Sequence, residues 1–254
     1  MKITRHCLRV KNPEELVDFY EATLGMRNFG EGKSPLLGYD AKQCLLELSG
    51  GARQDYIAEP DALYWKIGIT VRDLDAAVIS LQQWGHDVTD PRQFRDIGYM
   101  SHLRDPQGFS IELLQQGFEG RAQPAGNGHP VGGQATLSHI TLRVNNIEAA
   151  RLHCENRLGM RLMSVQPVDD YGFSLYFFCW SNERLPKSDL EAVENREWLW
   201  ARPYALLELQ HIFAGTVHPT QSDDKQADFA GFAYQAEKGG AHNYVPAYVM
   251  NEWL

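Results

Sequence analysis

The 254-residue sequence predicts an α+β fold: tandem βαβββ units whose curved mixed sheets wrap a cleft. Three observations point there. Leu137 to Arg161 repeats Ile3 to Arg27 at a constant offset of 134 residues, without a gap and with ten of twenty-five positions identical. Such self-similarity marks an internal duplication. The same order of elements (strand, helix, three strands) begins at Ile3, again at Trp65 and again at Leu137. The last strand of each unit then carries one acid among leucines and isoleucines: Glu47, Glu112 and Glu208.

In chain order, Ile3 to Val10 is a strand, and Asn12-Pro13 caps and opens a helix running to Leu24. Leu16, Phe19, Tyr20 and Leu24 recur at helical spacing, and Gly25 ends the helix. Met26 to Phe29, Pro35 to Tyr39 and Cys44 to Leu48 complete unit one. Unit two has a strand at Trp65 to Val71, a capped helix at Asp73 to Trp84, and strands near His86 to Asp90, Tyr99 to Leu103 and Phe109 to Gln115. Together, residues 1–116 read as one domain of two units. Residues 117–136 are rich in Gly and Pro and read as a linker. The third unit spans 137–213, with an insertion at 181–202 whose start suggests an added helix. Residues 214–254 are too short for a fourth complete unit and stay unassigned.

Composition narrows the function. Hydrophobic content of 43% with charged content of 22% is that of an ordinary globular protein. A net charge of -9 argues against nucleic acid or an anionic membrane as partner. No apolar run approaches the roughly 20 residues of a membrane helix. The opening MKITRH runs straight into the first repeat, which predicts no signal peptide. Four scattered cysteines without a C-x-x-C pair read as buried thiols, and the expected location is cytoplasmic.

Strand parity picks the candidate site. Side chains alternate faces, so Ile140, Leu142 and Val144 pack under a helix while His139, Thr141 and Arg143 point the other way. The same parity sets Ile67, Ile69 and Val71 against Lys66, Gly68 and Thr70, and His6, Leu8 and Val10 against Arg5, Cys7 and Arg9. Arg5, Lys66 and His139 therefore share one equivalent position, and His6 reads as a core histidine. An acid inside an apolar strand is costly unless it meets a cation or a metal. Units one and two are accordingly expected to share a cleft in which Arg5 and Lys66 pair with Glu47 and Glu112, with no metal there.

These units resemble the vicinal oxygen chelate superfamily, which groups glyoxalase I, bleomycin and fosfomycin resistance proteins and extradiol dioxygenases. The resemblance rests on Leu8-Arg-Val…Asp18-Phe-Tyr…Leu24-Gly-Met, on Asp105-Pro-x-Gly…Ile111-Glu-Leu, and on the third unit as a whole. That unit looks most like glyoxalase I through His139-Ile-Thr-Leu-Arg-Val, Phe173-Ser-Leu-Tyr-Phe-Phe and Ala205-Leu-Leu-Glu-Leu-Gln-His. In glyoxalase I a His or Gln of a first strand and a Glu of a last strand hold a divalent metal with the same pair from a partner unit. The resemblance thus implies His139 and Glu208 as ligands of zinc or nickel, with Glu208 and Glu112 as proton-moving acids. It also matches the glutathione-contacting Arg to Arg143, while Ile212 stands where the family has Asn. Arg5, Arg9, Lys66, Glu47 and Arg143 are then the candidate substrate-binding side chains. A homodimer bringing two His139 and two Glu208 together about a two-fold axis would complete a metal site.

Three readings stay open on the sequence: a glyoxalase-like isomerase or lyase acting on a small oxygenated molecule, a metal-free binding protein of the resistance type, and a scaffold role for the first two units.

Overall fold

The computed structural model describes residues 1–31, 34–124, 128–219, 226–235 and 242–254, and its architecture is the mixed α+β arrangement of curled sheets that the repeats predict. Unit one contains β1 (Lys2–Val10), α1 (Pro13–Ala22), β2 (Arg27–Asn28), β3 (Leu36–Gly38) and β4 (Leu45–Gly50). Unit two contains β5 (Tyr64–Val71), α2 (Leu74–Gln83), β6 (Arg92–Phe94), β7 (Gly98–Arg104) and β8 (Ser110–Gln115). Unit three contains β9 (Thr136–Val144), α3 (Ile147–Leu152), β10 (Arg161–Val168), β11 (Phe173–Cys179), α4 (Glu194–Trp200) and β12 (Leu206–Ile212). The tail adds β13 (Asp228–Gln235), β14 (His242–Pro246) and a 3₁₀ turn at Ala247–Trp253.

Local chemistry sets the helix ends. Asn12 accepts from the Glu15 amide, and Asp73 accepts from the Ala76 amide at 3.0 Å, each satisfying a donor of the first turn. Gly25 and Gly85 follow the two helices at φ +67° and +85°, where a side chain would be strained. The segment His86 to Asp90 departs from the expected strand: only Val88 bridges to Leu103, and Pro91 removes the next backbone donor. The ladder resumes as β6, which pairs with β7.

Pairing between units corrects the sequence expectation. The eight-stranded sheet runs β10-β11-β12-β9-β5-β8-β7-β6, so units two and three share it. The other sheet, β14-β13-β1-β4-β3-β2, joins unit one to the tail. Units one and two thus do not face each other across a shared cleft, and Arg5 and Glu47 lie in a different sheet from Lys66 and Glu112. Nor does the linker at 117–136, of which 125–127 lie outside the described residues, separate two sheets, because β5 and β9 on either side of it pair antiparallel. The inserted α4 ties unit three to unit two. Trp200 Nε1 donates to the Ile97 carbonyl at 3.0 Å, and Arg196 donates to the Asp96 carbonyl at 2.8 Å.

Two apolar clusters follow from this topology. The larger lies on the helix side and includes Leu8, Ile69, Ile140, Phe232 and Trp253. The smaller lies between the eight-stranded sheet and α4, and includes Ile97, Leu114, Phe177, Leu199 and Trp200. His6 is fully buried where the two sheets meet, its ring stacked on Tyr64 at 5.5 Å and on Phe229 at 5.3 Å. It is a core histidine, as its parity indicates.

Candidate functional site

The antiparallel register of β5 with β9 is close to a local two-fold: Lys66 lies opposite Thr141, and Gly68 opposite His139. Each strand also pairs in parallel with its own unit's last strand, setting Gly68 beside Glu112 and Thr141 beside Glu208. Four side chains that sequence parity placed in two separate sites therefore converge in one. The Lys66 ammonium donates to Glu112 Oε2. His139 Nε2 lies 3.3 Å from Glu112 Oε1 and 3.4 Å from Glu208 Oε2. All four residues are at most 3% exposed.

Supporting contacts fix their orientation. Ser138 Oγ donates to the Gly68 carbonyl at 3.1 Å, which leaves its oxygen to accept from His139 Nδ1 at 3.1 Å. Nε2 then lies between two carboxylates without a hydrogen bond of good geometry. Thr141 Oγ1 donates to Glu208 Oε2 at 2.6 Å. His102 Nε2 sits 3.1 Å from Glu112 Oε2, opposite it in the β7–β8 ladder. Burial alone would raise the Glu112 carboxyl, but the Lys66 charge and the neighbouring imidazoles of His102 and His139 hold it well below the usual carboxylate range. Glu112 therefore stays ionised and makes a poor base.

The charged cluster forms one end of a cavity of about 210 Å³. Its walls are apolar, with Ile97, Met100, Leu114, Phe177 and Trp200 among them, and the exposed Arg92 and Tyr171 also line it. Gly68 makes the packing possible: a Cβ there would overlap the imidazole of His139. A small, largely apolar molecule with an oxygen function fits these surroundings.

The other candidates are placed elsewhere. Arg5 Nη1 donates to Glu47 Oε2 at 2.9 Å in the six-stranded sheet, and Arg9 donates to the Gln226 carbonyl at 3.1 Å. Arg143 is buried over Trp65, its guanidinium carbon 4.7 Å from the ring centre, and donates to Gln210, Glu59 and Ala62 oxygens at 3.2, 3.2 and 3.3 Å. None of Arg5, Arg9, Glu47 and Arg143 lines the cavity. Sequence reasoning missed Gly68, His102, Ser138, Trp65 and Trp200. For His102 a signal existed, since strand alternation from Met100 puts it on the face of Glu112.

The divalent metal centre implied by the resemblance requires four ligands, and the side chains here do not fit it. The His139 imidazole converges with two carboxylates, and His102 reaches only Glu112, but the fourth corner holds an ammonium, which repels a cation and already occupies one oxygen of Glu112. Among the described residues no group of three or more His, Cys, Asp and Glu is arranged to hold a metal. The two-fold dimer site with paired His139 and Glu208 is also corrected, because both edges of β9 are taken, by β12 and by β5 of the same chain.

Comparisons with known proteins agree with this architecture. The family model of the Glyoxalase/Bleomycin resistance protein/Dioxygenase superfamily matches residues 2–113. Glyoxalase I of Saccharomyces cerevisiae is 27% identical over 218 residues, covering 72% of this chain, and the chain spans only 63% of that relative's length. The crystal structure of glyoxalase I from Zea mays superposes with a TM-score of 0.63 at 18% identity, over 85% of this chain and 69% of that one. At that identity the likeness speaks for the fold. No helix among the described residues is long and apolar enough to cross a membrane.

Proposed function

We propose that this chain, whose residues 2–113 match the glyoxalase/bleomycin resistance/dioxygenase family model, is a member of that superfamily and an enolising isomerase or lyase for a small, largely apolar carbonyl compound. One observation carries the reading: Lys66, Glu112, His139 and Glu208 come together in the lining of a mostly apolar cavity. Removal of a proton next to a carbonyl needs a base on one side and a positive or hydrogen-bonding group at the oxygen on the other.

The roles follow from the partners. Glu112 is tied to a cation and serves as the charge partner of Lys66. Glu208 accepts only one hydroxyl hydrogen bond besides its approach to His139, and is the proton-abstracting base. The ammonium of Lys66 and the imidazole of His139 hold the carbonyl oxygen as it gains negative charge. The proton taken from carbon by Glu208 returns to the neighbouring carbon or oxygen, so the reaction is redox-neutral and needs no co-reactant. Both halves of the site come from one chain, so a homodimer is not required to complete it.

The test is proton exchange in D₂O, followed by NMR on a panel of small α-hydroxy ketones and thiohemiacetals of α-oxoaldehydes. The protein should exchange the α-proton of at least one of them. Glu208→Gln should lose about 10²–10⁴-fold of that rate while keeping ligand-induced thermal stabilisation. Stabilisation by these compounds without exchange in the unaltered protein would instead support a metal-free binding protein. The apolar walls and the closed Lys66–Glu112 pair favour that second reading.

A further inference from the structure

The residue at position 66 is the repeat equivalent of His139, yet it carries an ammonium where its counterpart carries an imidazole. Its surroundings are built for that charge. Lys66 is 3% exposed, and its ammonium touches Glu112 and lies 4.2 Å from the centre of the Trp65 ring, whose π face attracts cations. The local two-fold of β5 and β9 sets it across from the imidazole, so it takes the place of a fourth ligand around the shared centre. A buried carboxylate needs compensating positive charge, and for Glu112 Lys66 supplies it from the chain itself.

We propose that the Lys66 ammonium is the resident cation of this site, standing in for a divalent metal, and that this one residue decides whether the cleft binds a transition metal. The ammonium offers N–H donors to an oxygen that gains negative charge, and the class of ligand it suits is a small carbonyl compound or its enolate. The inference rests on the cleft being the functional site, but not on which reaction runs there.

The decisive substitution is Lys66→His, which replaces the ammonium beside His139, Glu112 and Glu208 with an imidazole and leaves His102 on Glu112 unchanged. Protein purified without a polyhistidine tag would be titrated with Co²⁺, read by visible absorption, and with Zn²⁺ and Ni²⁺ by calorimetry. The unaltered protein should show no saturable binding up to about 1 mM. Lys66→His should gain about 100-fold or more in affinity for one ion per chain, and Glu208→Gln added to it should remove most of that gain. One Zn²⁺, Ni²⁺ or Co²⁺ bound tightly by the unaltered protein, and lost in Glu208→Gln, would overturn the proposal. So would a folded Lys66→His protein that gains nothing. Should that variant fail to fold, Lys66→Met removes the charge without adding a ligand and should still raise Co²⁺ affinity about 10-fold; no rise would be equally fatal. Absence of proton exchange with a positive result here would refute the reaction and leave the resident cation standing.

Discussion

The molecule holds two versions of one strand arrangement, and only one of them forms a cavity with a charged end. In the eight-stranded sheet β5 meets β9, and in the six-stranded sheet β1 meets β13 with the same antiparallel register. Lys66 faces Thr141 and Gly68 faces His139; correspondingly, Arg5 faces Ala233 and Cys7 faces Gly231. Both units bring a cation and an acid, but only β9 answers with an imidazole, and only unit three adds a second acid on β12. The tail supplies Gly231 and Ala233 at the matching points, and β14 runs antiparallel to β13 where unit three has the parallel β12. Solvent follows the same division. The Lys66 and Glu112 side chains are each 4% exposed, those of Arg5 and Glu47 34% and 21%. A closed, charged cleft thus needs a complementary second unit and a cover such as α4 as well as the inherited ion pair.

The largest expected contrast is in the two ion pairs. Glu112→Ala leaves a buried ammonium without its counter-charge and should cost about 3–5 kcal/mol. Glu47→Ala opens a half-exposed pair and should cost about 0–1 kcal/mol. Denaturant unfolding of the two variants measures both, and similar losses would erase the distinction between the clefts. Lys66→Met combined with Glu112→Leu should cost much less than Glu112→Ala alone, since no lone charge remains.

The next contrast is steric. Gly68 faces the ring of His139, so Gly68→Ala must displace the imidazole and should cost about 1–3 kcal/mol together with ligand stabilisation. At the matching place in the other sheet a side chain, Cys7, is already accommodated because its opposite residue is Gly231. Thermal melts with and without ligand would report both losses. An unchanged Gly68→Ala protein would mean that His139 has room to spare.

The smallest effect concerns what the two sheets share. Burial lowers the His6 imidazole from 6.5 to about 3, so the unfolded chain takes up a proton at higher pH than the folded one. Stability should fall as pH drops below about 6.5 and keep falling towards 3, with a loss near pH 5 of about 2 kcal/mol. In His6→Phe, which keeps the stack between Tyr64 and Phe229, that part of the acid slope should disappear. An identical slope would assign it to carboxylates alone.

The sequence by itself determined the repeating unit and the face on which each strand residue lies. Period-two alternation put His139, Lys66 and Arg5 at one equivalent position and His6 in the core, and Asn12 and Asp73 marked the helix starts. These are local properties, fixed by backbone geometry and by side chains a few residues apart. Which units pair was decided only in the tertiary structure. A strand edge offers the same N–H and C=O groups to any partner, so nothing local distinguishes β9 from β1 as the neighbour of β5. The choice rests on distant surfaces: α4 closing over the β6–β7 hairpin through Trp200 and Arg196, and the tail covering β1. That choice turned the paired charges of unit two and the His139 and Glu208 of unit three into a single buried cluster.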